Sequence, residues 1–417
     1  MSSIAASLPP ARRASSVGAV HLALALGGFA IGTTEYATMS LLPFFADGLH
    51  IDAPTASHVI SAYAMGVVVG APLLAVAATR FSRRHVLIAL MLAFGMANAL
   101  SACAPNYGWM LFFRFLSGLP HGAYFGTASL VAASLVPPGK RTQAVARVML
   151  GLTVATIVGV PLTNMIGQWC GWRWGFAIVA GTALATALLV ARVAPHDAAD
   201  RHAPLLAELR VLRRGQLWLT LGIGAIGYGG LFGVYTYLAS TMLAVTKTTP
   251  AMVPVALILY GVGTTLGNLI APRFADRALM PTVGVLLLWI TGTLALYPFA
   301  IGHLWSLLAV VLAIAFGGAL GTVLQARLMD IAVDGQGLAA AMNHSAFNFA
   351  NALGPWAGGI AIAAGYGWGS VGWVGAALAL GGLALWATSL VGDRRATRTA
   401  MQPELWNPSH SSRTKFN

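Results

Sequence analysis

Charged side chains are scarce in this sequence. Only 8% of the 417 residues are Asp, Glu, Lys or Arg, whereas 58% are hydrophobic. An average soluble protein carries about 25% charged residues, so the composition excludes a soluble globular domain and indicates a protein with many membrane spans. Glycine is abundant instead, with 48 residues. This abundance fits helices that pack closely against one another within a membrane.

Cysteine and the common catalytic signatures are also lacking. Cys103 and Cys170 are the two cysteines, and neither belongs to a CxxC pair. The sequence has no P-loop, GxSxG or HExxH motif. A literal GxGxxG at Gly222–Gly227 lies inside an apolar run with no strand before it, which argues against dinucleotide binding. We therefore expect no enzyme activity, no cofactor and no metal site.

The net charge of +13 does not indicate nucleic-acid binding, because the basic residues are scattered through short loops. If both termini are cytoplasmic, 21 of the 24 Lys and Arg residues fall on the cytoplasmic side. Arg173 and Lys247 fall on the other side, and Arg114 lies within a span. By the positive-inside rule, this asymmetry predicts an even number of spans.

Twelve apolar runs are long enough to cross a membrane as helices. The predicted spans, numbered 1 to 12 in chain order, are 18–43, 57–79, 85–104, 109–133, 144–167, 173–193, 217–241, 251–272, 282–300, 303–324, 338–363 and 369–391. The first run is too long for a signal peptide, so we interpret it as a retained span.

A polar stretch in the middle of the chain divides these spans into two sets of six. The predicted organisation is a cytoplasmic N-terminal segment (1–17), a six-helix bundle (18–193), a cytoplasmic central loop (194–216), a second six-helix bundle (217–391) and a disordered cytoplasmic tail (392–417). A shift of 193 residues aligns Gly70–Arg84 with Gly263–Arg277. This repeat predicts an all-α membrane protein whose two bundles are related by a pseudo-two-fold axis along the membrane normal.

One acid, Glu35, stands well inside an apolar run, whereas the other ten acids fall in loops, at span ends or in the tail. A carboxylate there costs several kcal/mol unless it is protonated, paired or facing water. Because burial disfavours the charged form, we interpret Glu35 as a proton carrier. The alternative is an acid bonded permanently to hydroxyls such as those of Thr33, Thr34 or Thr38.

Several segments resemble the major facilitator superfamily, in particular its bacterial twelve-span drug/proton antiporter group with the YdhP-type, AraJ-type and chloramphenicol-efflux exporters. The segments that carry the resemblance are GFAIGTTEYATMSLLP in span 1, SAYAMGVVVGAPL in span 2, RFLSGLPHGAYFG in span 4, GVP in span 5, VYTYL in span 7 and NHSAFNFANALG in span 11. The resemblance implies a multi-pass transporter of the bacterial inner (plasma) membrane that works by alternating access.

The resemblance also assigns a role to Arg114, which opens the Arg-Phe-Leu-Ser-Gly pattern of span 4. Arg114 and Glu35 both fall in the outer half of the membrane, so the two side chains could approach each other. A nearby cation favours the carboxylate and opposes the effect of burial, as proton coupling requires. The alternative is a static ion pair that locks two helices.

Other polar residues within the spans are candidates for a substrate cavity. His121 lies seven residues after Arg114, on the same face of span 4, and binds substrate, relays a proton or is a buried neutral histidine. His344, Asn348 and Asn351 form one polar stripe on span 11. The amides of such a stripe either line a wet cavity or bond across helices. The remaining candidates for this cavity are Tyr63, Asn164 and Tyr235, each of which could instead serve packing.

Two further features concern the movement of the bundles. Arg80, Arg83 and Arg84 resemble the family's gating loop between spans 2 and 3, although Thr79 replaces its acid, and Asp276 and Arg277 form the counterpart in the second half. The alternative is that these arginines only fix topology. Pro161 is expected to kink span 5 because proline removes a helical hydrogen bond.

We therefore predict a proton-driven exporter of a small organic molecule, such as a drug, a sugar or a related metabolite. The expected partners are this substrate, protons and the lipid bilayer, with no nucleic acid, and the expected state is a monomer. The alternative is a sugar or metabolite exporter or uniporter in which Glu35 binds substrate without coupling protons.

Overall fold

The structure, a computed structural model, describes residues 16–78, 80–137, 140–195, 210–332 and 336–401. Residues 1–15 of the predicted N-terminal segment, most of the central loop and the end of the tail lie outside the described residues. The described part of the tail, which was predicted to be disordered, continues the last helix as far as Met401. Within the described residues the regular secondary structure is entirely helical.

The described residues of the first half form nine α-helices. They are α1 (Val17–Ser40), α2 (Leu42–Gly48), α3 (Ala53–Ala78), α4 (Arg83–Ala102), α5 (Tyr107–Gly118), α6 (Pro120–Ser134), α7 (Arg141–Val154), α8 (Val160–Cys170) and α9 (Arg173–Val193). A π-helical turn, Ala155–Gly159, joins α7 to α8.

Eight α-helices form the second half. They are α10 (Gly215–Gly227), α11 (Gly229–Ala244), α12 (Val253–Ala275), α13 (Leu279–Ala300), α14 (Leu304–Phe316), α15 (Leu320–Ile331), α16 (Gln336–Ala361) and α17 (Ser370–Met401). Short 3-10 turns precede α10, α12 and α15, and a π turn, Ile362–Tyr366, follows α16.

Several helices begin where the sequence supplies a polar cap. The Ser16 hydroxyl accepts a hydrogen bond from the Ala19 N–H, and the Asn106 side chain accepts one from the Trp109 N–H. Asp52 precedes α3 and accepts from the Thr55 N–H at 2.8 Å. Hydrogen bonds from the Thr55 side chain and backbone hold the pKa of this exposed carboxyl below its usual range. These caps satisfy N–H groups that the first helical turn leaves unpaired.

Ten helical stretches of the described chain are long and apolar enough to cross a membrane, and they coincide with ten of the twelve predicted spans. The other two predicted spans are also helical. Span 4 is divided between α5 and α6 at Leu119, directly before Pro120, which cannot donate a backbone hydrogen bond. Span 11 corresponds to α16, whose asparagine and histidine residues lower its hydropathy.

The helices pack in two groups that follow the order of the chain. In the first half, α1 packs against α7 and α9, α4 against α9, and α3 against α5 and α6. In the second half, α17 packs against α10 and α13, α12 against α14, and α11 against α16. The main contact between the halves is α3 against α16, with α8 against α12 and α1 against α11 beside it. Glu35 and Asn351, two of the predicted functional residues, meet at this junction between the halves.

The two cysteines lie at helix ends, where Cys103 follows α4 and Cys170 ends α8. Both are exposed free thiols.

Candidate functional site

Glu35 lies on α1 at the junction between the halves and is 6% exposed. Its Oε1 accepts a hydrogen bond of 3.1 Å from Nδ2 of Asn351, on α16. This buried bond therefore links a helix of the first half to one of the second. The three threonines considered as permanent partners do not fill that role. Thr38 donates to the Thr34 carbonyl, Thr34 donates to Asn98, and the Thr33 hydroxyl has no partner in the described chain.

Arg114, on α5, is fully buried and is held by neutral groups. Its Nη1 donates to Thr34 Oγ1 at 3.0 Å and to Asn98 Oδ1 at 3.4 Å, and the Thr34 hydroxyl donates to the same Asn98 oxygen at 2.7 Å. The guanidinium carbon lies 4.4 Å from the centre of the Tyr63 ring, within the range of a cation–π contact.

The static ion pair proposed as an alternative is not present. Among the described residues, the polar partners of Arg114 are Thr34 and Asn98, and no carboxylate bonds to its guanidinium. Arg114 nevertheless bonds to Thr34, the residue directly before Glu35 on α1. The arrangement places a positive charge near Glu35 while leaving the carboxylate available to α16.

Tyr63, His121 and His344 form a second connection across the junction. The Tyr63 hydroxyl and His121 Nδ1 are 2.9 Å apart, which joins α3 to α6. The His121 ring centre lies 6.0 Å from that of His344 on α16, and Phe125 stacks on His344 at 5.5 Å with its plane almost parallel. The structure therefore brings three of the predicted cavity residues together beside Arg114.

The stripe predicted on span 11 lies on α16 at this junction. Asn348 donates from Nδ2 to the His344 carbonyl at 3.1 Å, one turn back along the helix. The Oδ1 atoms of Asn348 and Asn351 are both buried and have no hydrogen-bond partner among the described residues. The stripe thus combines one amide that bonds across the halves with two uncommitted oxygens.

Aromatic rings form one wall of the site. Tyr36, which follows Glu35, meets the predicted residue Tyr235 edge to face at 5.4 Å, and Tyr235 meets Tyr260 at 4.4 Å. Tyr36 also stacks on Phe232 at 6.3 Å. The wall therefore extends from α1 to α11 and α12 across the junction.

Asn164 is not brought into this cluster. It lies on α8, donates to the Ser40 carbonyl at 2.9 Å and accepts from Gln168 Nε2 at 2.7 Å. Its amide therefore holds α8 to the end of α1. Pro161 lies near the start of α8, directly after the π turn Ala155–Gly159 and Val160.

The predicted gating residues lie at the ends of helices, away from the cluster. Arg80 and Arg83 are exposed, and Arg84 donates to the Ala191 carbonyl at the end of α9. Asp276 and Arg277 are exposed just after α12. Within the described residues, these five side chains are separate from the Glu35 site.

The sequence analysis missed Asn98 and Tyr36, and it considered Thr34 only as a partner of Glu35, not of Arg114. Asn98 carried a usable signal, because it is an amide inside an apolar span and such groups rarely face lipid. Thr34 and Tyr36 flank Glu35 but carry no signal that would separate them from other span residues.

These features define a polytopic helical membrane protein in which a buried acid lies where the two halves of the chain meet, with a buried cation bonded to the residue before it. Residues 24–277 match the family model of the Major Facilitator Superfamily. The chain is 41% identical over 365 residues to the inner membrane transport protein YdhP of Escherichia coli K12, covering 87% of this chain and 93% of YdhP. The chain belongs to the Major Facilitator Superfamily.

Two further similarities agree with this assignment. A chloramphenicol resistance protein of Streptomyces lividans is 33% identical over 339 residues, covering 80% of this chain and 86% of that protein. The crystal structure of the nucleoside transporter NupG superposes with a TM-score of 0.70 at 14% identity, covering 89% of this chain and 99% of NupG. The family resemblance seen in the sequence is confirmed. At this identity, NupG supports the fold alone.

Proposed function

We propose that this protein is a proton-coupled secondary transporter that exports a small organic molecule by alternating access, with Glu35 as the proton carrier. The observation that carries the proposal is the hydrogen bond between Glu35 and Asn351, because it joins an ionisable group to the opposite half of the molecule. Transport by this family and the named relatives YdhP and the chloramphenicol resistance protein support the broader assignment.

The proposed architecture is two six-helix bundles, residues 18–193 and 217–391, in a bacterial inner membrane. The grouping of helix contacts along the chain supports this division. The distribution of Lys and Arg supports cytoplasmic termini. Substrate would bind between the bundles, where the polar cluster and the aromatic wall lie. The protein would act as a monomer with one central site.

The coupling step follows from the chemistry of the Glu35 contact. An ionised carboxylate accepts strongly from the Asn351 amide, and this charge-assisted bond favours contact between α1 and α16. Proton uptake from outside removes the charge and weakens that bond, which changes the balance between the two arrangements of the bundles. Arg114 remains on Thr34 and Asn98, so it can stabilise the carboxylate without blocking protonation.

The decisive experiment measures transport in proteoliposomes with an imposed pH gradient. We would use labelled chloramphenicol as the probe, because a relative carries its name. Glu35→Gln keeps the shape and a hydrogen-bonding group but cannot release a proton. We expect it to lose accumulation against the gradient and to retain passive exchange of the probe.

The matched control is Asp47→Asn, which removes an exposed acid at the end of α2. It is expected to transport like the wild type. Glu35→Gln that still accumulates the probe as well as the wild type would exclude Glu35 as the proton carrier. Wild-type exchange that is unaffected by collapsing the proton gradient would favour uniport, with Glu35 as a substrate ligand.

A further inference from the structure

Two buried oxygen atoms on α16 lack the hydrogen bonds that such atoms normally have. They are Oδ1 of Asn348 and Oδ1 of Asn351, in side chains that are 3% and 0% exposed. An unsatisfied buried acceptor is costly, because it has given up its hydrogen bonds to water without gaining others. Because buried polar atoms are nearly always paired, two on one helix face indicate that a partner occupies this position during the working cycle.

These oxygens lie beside a third acceptor. Asn348 and Asn351 are three residues apart, so they are neighbours on one face of α16. Asn351 is in contact with the Glu35 carboxylate through its Nδ2. This part of the site therefore offers a carboxylate and two amide oxygens, all of which accept hydrogen bonds.

A series of aromatic contacts connects the sequence neighbours of Glu35 and Asn348. It runs from Tyr36, next to Glu35, to Phe232 at 6.3 Å, from Phe232 to Tyr228 at 5.2 Å, and from Tyr228 to Phe347 at 4.8 Å. Phe347 is the residue directly before Asn348. The sequence neighbours of Glu35 and Asn348 are thus joined by a continuous set of rings, which suits a ligand with an apolar or aromatic body.

We propose that Asn348 and Asn351 select substrates that present N–H or O–H donors on an apolar or aromatic body, and that this site rejects carboxylates. The proposal rests on the proposed transport function and names its substrate class. A donor-bearing substrate would satisfy the two oxygens. A carboxylate would meet the Glu35 carboxylate and these two oxygens, because the Asn348 and Asn351 amide nitrogens already donate to the His344 carbonyl and to Glu35. Arg114 is turned to Thr34, Asn98 and the Tyr63 ring.

The test compares matched ligands in equilibrium dialysis with the purified full-length protein in detergent. The probes are chloramphenicol, which has two hydroxyls and an amide N–H on an aromatic body, its monoacetate, its diacetate and its hemisuccinate. The diacetate masks both hydroxyl donors. The hemisuccinate masks the same hydroxyl as the monoacetate and adds a carboxylate. We expect chloramphenicol to bind about tenfold more tightly than the diacetate, and the monoacetate more tightly than the hemisuccinate.

The variant Asn348→Leu removes one acceptor and keeps the number of side-chain heavy atoms. It is expected to reduce the ratio of the affinities for chloramphenicol and for the diacetate to about twofold or less. Asn351→Leu, and Asn348→Ala if leucine prevents folding, should act in the same direction. Asn268→Leu is the matched control, because the Asn268 oxygen already accepts from Thr322 at 2.7 Å, in a contact between α12 and α15. The ratio for this variant should equal that of the wild type.

The proposal is overturned if the wild type binds none of the four probes, or if it binds the diacetate or the hemisuccinate as tightly as chloramphenicol. An unchanged ratio in the folded asparagine variants also overturns it. Dialysis requires no proton gradient, so donor selectivity can persist when gradient-driven transport fails. Such a result would reject the proton coupling and retain the donor selectivity. Coupled transport without donor preference would instead retain the proton coupling and reject the donor selectivity.

Discussion

Arg114 shows how a single buried charge can be kept without a paired acid. A buried cation is costly unless it is hydrogen-bonded, and here the neutral oxygens of Thr34 and Asn98 and the Tyr63 ring face supply the compensation. An ion pair with Glu35 would have bound α1 to α5. Because Arg114 bonds to Thr34 instead, the carboxylate next to it can respond to the other half of the molecule.

Asn98 is the member of this arrangement whose removal is easiest to interpret. Asn98→Leu leaves the Arg114 guanidinium and the Thr34 hydroxyl without their shared acceptor, so we expect it to destabilise the protein by about 1–3 kcal/mol. Thermal unfolding followed by tryptophan fluorescence measures the effect. The control is Thr182→Val, whose hydroxyl bonds only to the Ile178 carbonyl of its own helix. Equal stability of the two variants would show that Asn98 does not support Arg114.

At the scale of individual helices, the hydropathy of the sequence predicts where the helices lie better than where a predicted span is broken into two helices. The edges of most predicted spans fall within a few residues of the observed helices. The division of span 4 at Leu119 was not predicted, although Pro120 marks the place, because span assignment depends on length and apolarity and proline is tolerated in such helices. The amides of α16 are polar groups that face the junction. Their polarity lowers the hydropathy of α16 and also allows them to bond to Glu35 or to a substrate.

The contact between α3 and α5 depends on the absence of a side chain at Gly118. A Cβ atom placed there would lie 2.0 Å from the Tyr63 carbonyl oxygen, closer than any real contact. Gly118→Ala should therefore push α5 away from α3 and lower the free energy of unfolding by about 1–3 kcal/mol, as overpacking does. Because Tyr63 and Arg114 lie on these helices, transport should fall as well.

Gly126 on α6 provides the control for this substitution. A Cβ atom there would meet nothing within 4 Å, so Gly126→Ala should be neutral or slightly stabilising. The measurements are thermal unfolding and uptake of the probe into proteoliposomes. If Gly118→Ala proves as stable as Gly126→Ala, α3 and α5 do not need this close approach.

At the scale of the whole molecule, the sequence predicts which residues are unusual but not which of them meet. Glu35, Arg114 and the α16 stripe were recognisable because polar groups are costly in an apolar span. That Asn351 would reach Glu35, 316 positions away, depends on how the halves pack, and no local pattern encodes it. Asn164 was grouped with the cavity because it is an amide in a span, yet its partners are Ser40 and Gln168.

If the two halves move relative to each other, a covalent bridge between them should stop transport. Ser61 on α3 donates to the Ala352 carbonyl on α16 at 3.1 Å, across the junction. We would introduce Ser61→Cys and Ala352→Cys after replacing the exposed Cys103 and Cys170 by serine. Bridging the pair with a short bis-methanethiosulfonate, which forms a disulfide with each cysteine, should abolish uptake of the probe, and cleaving the two disulfides with a reductant should restore it.

A second pair with the same geometry tests whether bridging itself is harmful. The Thr246 hydroxyl donates to the Ile301 carbonyl at 2.8 Å, with both residues in the second half. Bridging Thr246→Cys to Ile301→Cys should leave uptake unchanged, because it joins parts that move together. If protein bridged between positions 61 and 352 takes up the probe as fast as unbridged protein, the contact between α3 and α16 persists through transport. The cycle would then have to open without separating these two helices, and the bond between Glu35 and Asn351 could not be broken by movement of the bundles.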